Sequence, residues 1–209
     1  MITVHHLNES RSQRILWLLE ELEVPYEIEF YFRDPHTKMA PPELQRIHPL
    51  GKSPIITDDG RPIAESGAII DYIVRRYGAG RLQPDSESSD YDDYVHWLHY
   101  AEGSASLPFI MLPIANSFGK MATPLRRRVD YELGLNLGYI NESLRAREYL
   151  LGATLTAADV QMSFVGELAM NFADVSKLPN LAAWVARFQA RPAYRAAIER
   201  GGPYGLAHG

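Results

Sequence analysis

Apolar side chains recur along the first third of the chain in two rhythms. Ile15, Leu18, Leu19 and Leu22 stand at i, i+3, i+4 and i+7, which predicts an amphipathic helix over residues 10–23, ended by Val24-Pro25. Ile2–Leu7 and Tyr26–Tyr31 are short, apolar or β-branched and aromatic, and read as strands on either side of it. A short helix is expected over 43–47. Residues 55–57 and 62–64 flank Asp58-Asp59-Gly60, a hairpin turn signal, and Ile69, Ile70 and Ile73 mark a further helix over 67–77. Beyond a Gly/Pro/Asp/Glu/Ser-rich stretch the pattern is helical only, over 90–119, 124–144, 157–170 and 181–190, with Pro108, Pro113 and Pro124 as kinks or boundaries. The order βαβ, ββα, then helices predicts an α+β fold: an αβ domain over 1–78, a linker over 79–89 and an all-α domain over 90–209.

Two segments of the αβ domain combine turn chemistry with hydrogen-bonding groups. His48-Pro49-Leu50-Gly51-Lys52-Ser53-Pro54 is a turn feeding a strand that Pro54 restricts to an edge or a bend, with an X-Pro bond suited to the cis form. Such a bend turns the Ser53 backbone toward an extended, peptide-like ligand, as in strand addition. Glu65-Ser66 stops the next strand where a helix begins. Ser66 is expected to cap that helix, whose N-terminal N–H groups and partial positive charge favour a carboxylate, while Glu65 accepts from an ammonium group. An amino acid head group satisfies both. The alternative is that Ser66 only caps, Glu65 is a solvated acid and Pro54 blunts an edge.

On these residues the chain resembles the cytosolic glutathione transferases. Residues 2–77 are similar to that family's thioredoxin-like N-terminal domain, with Gly51-Lys52-Ser53-Pro54 and Glu65-Ser66 matching its glutathione-binding motifs, and the likeness continues through the helical domain. Ser10-Arg11-Ser12, the run Arg14 to Leu22, Pro41-Pro42-Glu43-Leu44 and His48-Pro49-Leu50-Gly51 are most similar to a bacterial and fungal subgroup. The resemblance implies a homodimeric, detoxifying enzyme. Such an enzyme holds glutathione as co-substrate through Lys52, Ser53, Pro54, Glu65 and Ser66 and conjugates its thiolate to a small hydrophobic electrophile. Lys52 matches the contact to the glycine carboxylate, with Lys38 and His48 as weaker candidates. An electrophile site in the cleft between the domains is expected to draw on Phe109, Met111, Leu112 and Phe118, although core packing is their commoner use. The same fold also accommodates glutathione-dependent peroxidase or etherase chemistry, or a non-catalytic carrier of glutathione or hydrophobic ligands.

The chemistry is narrowed by what the chain lacks. It has no cysteine, so disulfides, thiolate metal sites and a mixed disulfide with glutathione on a protein thiol are excluded. A glutathione thiol with a pKa of about 8.5 is only about 3% ionised at pH 7. Lowering that pKa by about two units requires roughly 2.7 kcal/mol of preferential stabilisation. A hydrogen bond to the sulfur plus a helix start supplies that much, without a general base. The family's usual tyrosine is missing, since Tyr26 is the first tyrosine. Ser10, at the expected helix start, is the leading donor; Ser12, Asn8 and the Arg11 backbone are alternatives, and an ordinary N-cap is the competing role of Ser10.

Composition sets outer bounds. At 209 residues and 46% apolar content the chain suits one large or two small cores, and its formal charge of 21 − 26 = −5 gives no general reason to bind nucleic acid or an anionic membrane. The start Met1-Ile2-Thr3-Val4 has no basic and apolar leader pattern, so a cytoplasmic location is expected. Thr156-Ala157-Ala158-Asp159 is a capping box with Leu155 placed to staple on Val160; it resembles the family's folding motif, and loss of its acid should cost about 1 kcal/mol. His96, His99 and Glu102 share helical spacing but lack a fourth ligand, so no metal is expected, and Arg126-Arg127-Arg128 reads as a solvated or dimer-facing run.

Overall fold

The computed structural model describes residues 1–207; residues 208 and 209, the end of the expected helical domain, lie outside the described residues. It falls into two compact units, residues 1–84 with 188–209 and residues 85–187. Packing therefore groups the C-terminal segment with the αβ part of the chain, a relation that a reading in linear order does not give.

In the first unit the sheet has the order β2-β1-β3-β4, formed by β1 (Ile2–Leu7), β2 (Tyr26–Tyr31), β3 (Ile55–Asp58) and β4 (Arg61–Ala64). β1 runs parallel to β2 and antiparallel to β3, and β3 and β4 form a hairpin. The turn is tight because Asp59 and Gly60 both have positive φ, 48° and 78°, as a two-residue hairpin with matching twist requires. Helices α1 (Gln13–Glu21), α2 (Leu44–Ile47), α3 (Ser66–Tyr77) and α9 (Pro192–Gly201) complete the unit.

Helix α1 departs from the single-face expectation, since every residue from Gln13 to Leu19 is buried. The cause is the C-terminal segment that packs on it: Trp17 stacks on Phe188, at the end of α8, at 5.3 Å and meets Tyr194 of α9 edge-on at 5.5 Å. The expected helices end at residue 190 and do not include α9, whose first residue is Pro192, a position where a missing N–H costs nothing. The end of α1 also comes before Pro25. Val24 N–H bonds to the Leu19 carbonyl and Glu23 N–H to the Glu20 carbonyl, a Schellman stop with Glu23 at φ 54° in place of the usual glycine.

The second unit holds α4 (Asp90–Tyr100), α5 (Leu107–Ser117), α6 (Thr123–Ser143), α7 (Ala157–Phe172) and most of α8 (Pro179–Gln189). The helix expected over 90–119 is interrupted by a π turn at Ala101–Ala105, where Ser106 N–H bonds to the Ala101 carbonyl. Pro108 lies next to it, has no N–H for the ladder and crowds the preceding turn, so the hydrogen bonds slip by one residue there.

Candidate functional site

Three segments meet at one end of the sheet: the β1–α1 connection, the approach to β3, and the passage from β4 into α3. The pairings His5 with Ile55 and Ile55 with Ala64 set Pro54 beside His6 on one side and Glu65 on the other. Ser53-Pro54 is a cis peptide bond, in keeping with the expected bend. Gly51 just before it has φ 58°, and a Cβ there would stand 2.6 Å from Gln45 Cγ, so the turn requires glycine on two counts.

Serine hydroxyls converge at this point. Ser10 Oγ is 2.8 Å from Ser12 Oγ and 3.3 Å from Ser53 Oγ, and it accepts Ser12 N–H at 3.2 Å. Ser12 Oγ lies 2.9 Å from His6 Nδ1 and 3.2 Å from the Leu7 carbonyl, and Ser53 Oγ is 3.5 Å from the His5 carbonyl. Burial falls outward through the cluster: Ser12 is fully buried, Ser10 is 4% exposed and Ser53 is half-buried. His6 is buried as well, and that burial pushes its imidazole down to about 4 against an opposing hydrogen bond to the Gly201 backbone. His6 is thus neutral near pH 7.

Two capping expectations are corrected. Ser10 does not cap α1; Ser12 holds the N-cap position, and Ser10 lies in the turn before it, its carbonyl accepting Gln13 N–H. Likewise Glu65, not Ser66, is the N-cap of α3, and Ser66 is the first helical residue and buried. Glu65 has φ 71° and ψ 119°, a sparsely populated conformation for a residue with a Cβ. It is exposed at the mouth of the helix start, where the N–H groups of Ser66, Gly67 and Ala68 lie outside the helix ladder, whose first bond is Ile69 N–H to the Glu65 carbonyl. No regular pattern in the sequence marks the Glu65 geometry, although an acid and a serine between strand and helix narrow its place.

The alternative donors are placed differently. Asn8 offers its amide oxygen to Arg33 N–H at 2.8 Å, and the Arg33 side chain reaches the Asn8 and Glu9 carbonyls, so Asn8 fastens the loop after β2. Arg11 is half-buried; Lys38 and Lys52 are exposed, and His48 is half-buried. Sequence reasoning missed His6 and the role of Glu9, whose carboxylate accepts Gly205 N–H at 3.0 and 3.1 Å and so ties the C-terminal segment to the β1–α1 connection. Both contacts depend on residues about two hundred positions away.

The helical unit carries its own cavity of about 780 Å³, lined by His96, Tyr100, Leu107, Met111, Leu135 and Tyr139 among others. Of the four residues expected to meet an electrophile, Met111 lines it, Phe109 is buried, Leu112 is half-buried and Phe118 is exposed. His96 belongs to an aromatic cluster, stacking on Tyr100 and lying 3.2 Å from the Tyr139 hydroxyl. Among the described residues no group of three or more His, Asp or Glu side chains is placed to hold a metal ion.

Comparison with known proteins agrees with this architecture. Residues 10–76 match the glutathione S-transferase N-terminal domain and residues 107–192 the glutathione S-transferase C-terminal domain. Glutathione S-transferase 3 of Schizosaccharomyces pombe is 37% identical over 215 residues, covering 96% of this chain and 88% of that protein. The chain belongs to the glutathione S-transferase family of enzymes. A crystal structure of a glutathione S-transferase from Actinobacillus pleuropneumoniae is 32% identical to this transferase and superposes with a TM-score of 0.91, covering 99% of this chain and 95% of that one. A transferase family member from Pseudomonas fluorescens, solved with two glutathione molecules bound, is 26% identical with a TM-score of 0.77 over 95% of this chain and 92% of its own. The thioredoxin-like and helical parts of the transferase thus carry the fold expected from the motifs.

Proposed function

We propose that this transferase binds glutathione at the end of the sheet where Ser10, Ser53, Glu65 and the start of α3 converge, holds its thiol as thiolate, and conjugates it to a small hydrophobic electrophile. The observation that carries the reading is the approach of Ser10 and Ser53, 3.3 Å apart, from two segments separated by 43 residues. Hydroxyl donors in such a half-buried place stabilise a thiolate more than water-exposed ones do. In this reading Glu65 accepts from the ammonium group of the γ-glutamyl residue, the Ser66 helix start receives its carboxylate, Ser53-Pro54 pairs with the cysteinyl backbone and Lys52 meets the glycine carboxylate. Ser10, with Ser12, Asn8 and the Arg11 backbone behind it in order, belongs to the thiol end. Met111 is favoured for the electrophile over Phe109, which packing already uses.

A homodimer belongs to the same reading. It is supported by exposed apolar side chains on α5 and α6, among them Leu107, Ile110, Ile114, Tyr131 and Leu135. A cytoplasmic location and a detoxifying role complete it; no helix among the described residues is long and apolar enough to cross a membrane. The decisive measurement pairs retention on immobilised glutathione with turnover of aryl halides and organic hydroperoxides. Retention with aryl halide conjugation is expected. Hydroperoxide reduction alone would replace the conjugating reading with the peroxidase one, retention with no turnover would favour a carrier, and failure to bind glutathione would remove the site assignment.

A further inference from the structure

The direction of the hydrogen bonds through the serine cluster follows from its buried end. His6 has two ring partners, the Ser12 hydroxyl on Nδ1 and the Gly201 backbone. The Gly201 contact favours the charged imidazole, so it runs to the carbonyl oxygen and requires an N–H on the ring, which with Nδ1 engaged by Ser12 falls to Nε2. A neutral ring has only one N–H. Nδ1 is then an acceptor facing the Ser12 hydroxyl, whose other acceptor is the Leu7 carbonyl at 3.2 Å.

That assignment propagates outward. Ser12 Oγ has one proton and two acceptors in reach, His6 Nδ1 at 2.9 Å and the Leu7 carbonyl at 3.2 Å; spent on either, it leaves Ser12 an acceptor toward Ser10 at 2.8 Å, so the Ser10 proton points inward. Ser10 Oγ also accepts Ser12 N–H from the same side. Toward the ligand Ser10 therefore presents lone pairs, which repel a thiolate. Ser53 is in the opposite condition: both acceptors within its reach are long, 3.3 Å to Ser10 Oγ and 3.5 Å to the His5 carbonyl, and it is the most exposed of the three. Its proton is the one a nearby anion can take with least loss.

We infer that the hydroxyl of Ser53 donates the hydrogen bond that stabilises the glutathione thiolate, with Ser10, Ser12 and His6 acting as positioning residues that fix the polarity of the cluster. This rests on the glutathione-binding reading above and changes the working part of Ser53 from its backbone alone to its backbone and side chain. Ser10, the leading donor on sequence grounds, becomes an acceptor that holds the Ser53 hydroxyl until sulfur arrives.

The test is the pH titration of bound glutathione, followed by thiolate absorbance in the full-length protein saturated with glutathione. Ser53→Ala should raise the ionisation of the bound thiol by about one unit, the scale of one hydrogen bond to a charged group, and lower kcat/KM about tenfold at a pH below it. Ser53→Thr, which keeps the hydroxyl, should restore most of both. Ser10→Ala removes a competing acceptor and should not raise the ionisation. A rise in Ser10→Ala equal to or greater than that in Ser53→Ala would overturn the inference, as would an unchanged titration in a Ser53→Ala protein that still binds glutathione. Loss of glutathione binding by the unaltered protein is a separate result, and it defeats the binding reading itself.

Discussion

At the scale of single residues, the site is governed by a histidine that titrates out of its ordinary range. His6 is buried and its imidazole is pushed from 6.5 down to about 4, so between those values the unfolded chain binds a proton that the folded chain refuses. Stability then rises with pH across this window: fully retained above pH 6.5, it falls on acidification to about pH 4. The shift corresponds to about 3 kcal/mol of stability lost across this window, which His6→Asn should remove, flattening the curve of urea midpoint against pH between 4 and 6.5. His5, lowered by burial against the opposing pull of Glu29, adds a slope in the same direction that the variant leaves in place. An identical pH profile for the variant would mean that burial does not lower His6 in the fold. The bend at Ser53-Pro54 and the strand-to-helix passage at Glu65-Ser66 are legible in the sequence because each depends on neighbours of one or two positions, a proline that bends a strand and an acid and a serine after one. His6 is not, because a histidine in an apolar strand carries no sign of whether its partners are Ser12 or the distant Gly201.

At the scale of elements, start signals were more legible than their energetic weight. The capping box at α7 is present, with Asp159 accepting Thr156 N–H at 2.9 Å and Thr156 Oγ1 at 3.0 Å. The same carboxylate also accepts Leu150 N–H at 2.9 Å and Trp184 Nε1–H at 3.0 Å, so it joins the loop before α7, the helix itself and α8. Burial raises its pKa, and the hydrogen bonds from Leu150, Thr156 and Trp184 oppose that rise. Asp159→Ala would leave buried donors on three segments unpaired, so the expected loss is about 3 kcal/mol, well above the 1 kcal/mol of a simple cap. Chemical denaturation followed by circular dichroism measures it, and a loss near 1 kcal/mol would show that water replaces the carboxylate at Leu150 and Trp184. Affinity for glutathione should be unchanged in the folded fraction. The π turn after α4 was illegible for a related reason: Pro108 announces a disturbance, but whether a helix ends, kinks or slips depends on the packing that holds both sides in line.

For the molecule as a whole, the sheet unit is assembled from both ends of the chain. Trp17 is fully buried under Phe188 and Tyr194, Glu21 receives Arg191 in a two-pronged pair at 2.5 and 2.8 Å, and Glu20 receives Arg200 at 2.8 Å. Gly201 sits so close to α1 that a Cβ would stand 2.5 Å from Gln13 Oε1 and 2.8 Å from Leu16 Cδ1. Losing one large aromatic partner from such a core costs about 3–5 kcal/mol, and a domain of ordinary size has only about 5–15 kcal/mol in all. Residues 1–84 are therefore expected not to fold stably without residues 188–207, even though all four strands lie within the first part of the chain. A protein ending at Arg187 should keep the helicity of the 85–187 unit and lose slow amide exchange in β1 and β3. Adding the 188–207 segment as a peptide should recover that protection in part, in proportion to its concentration, because binding to the folded form alone shifts the equilibrium toward it. If β1 and β3 stay protected in the shortened chain, the aromatic contact of Trp17 with Phe188 and Tyr194 is dispensable. The support of the serine cluster by Gly201 and Gly205 would then be a matter of local geometry and not of folding.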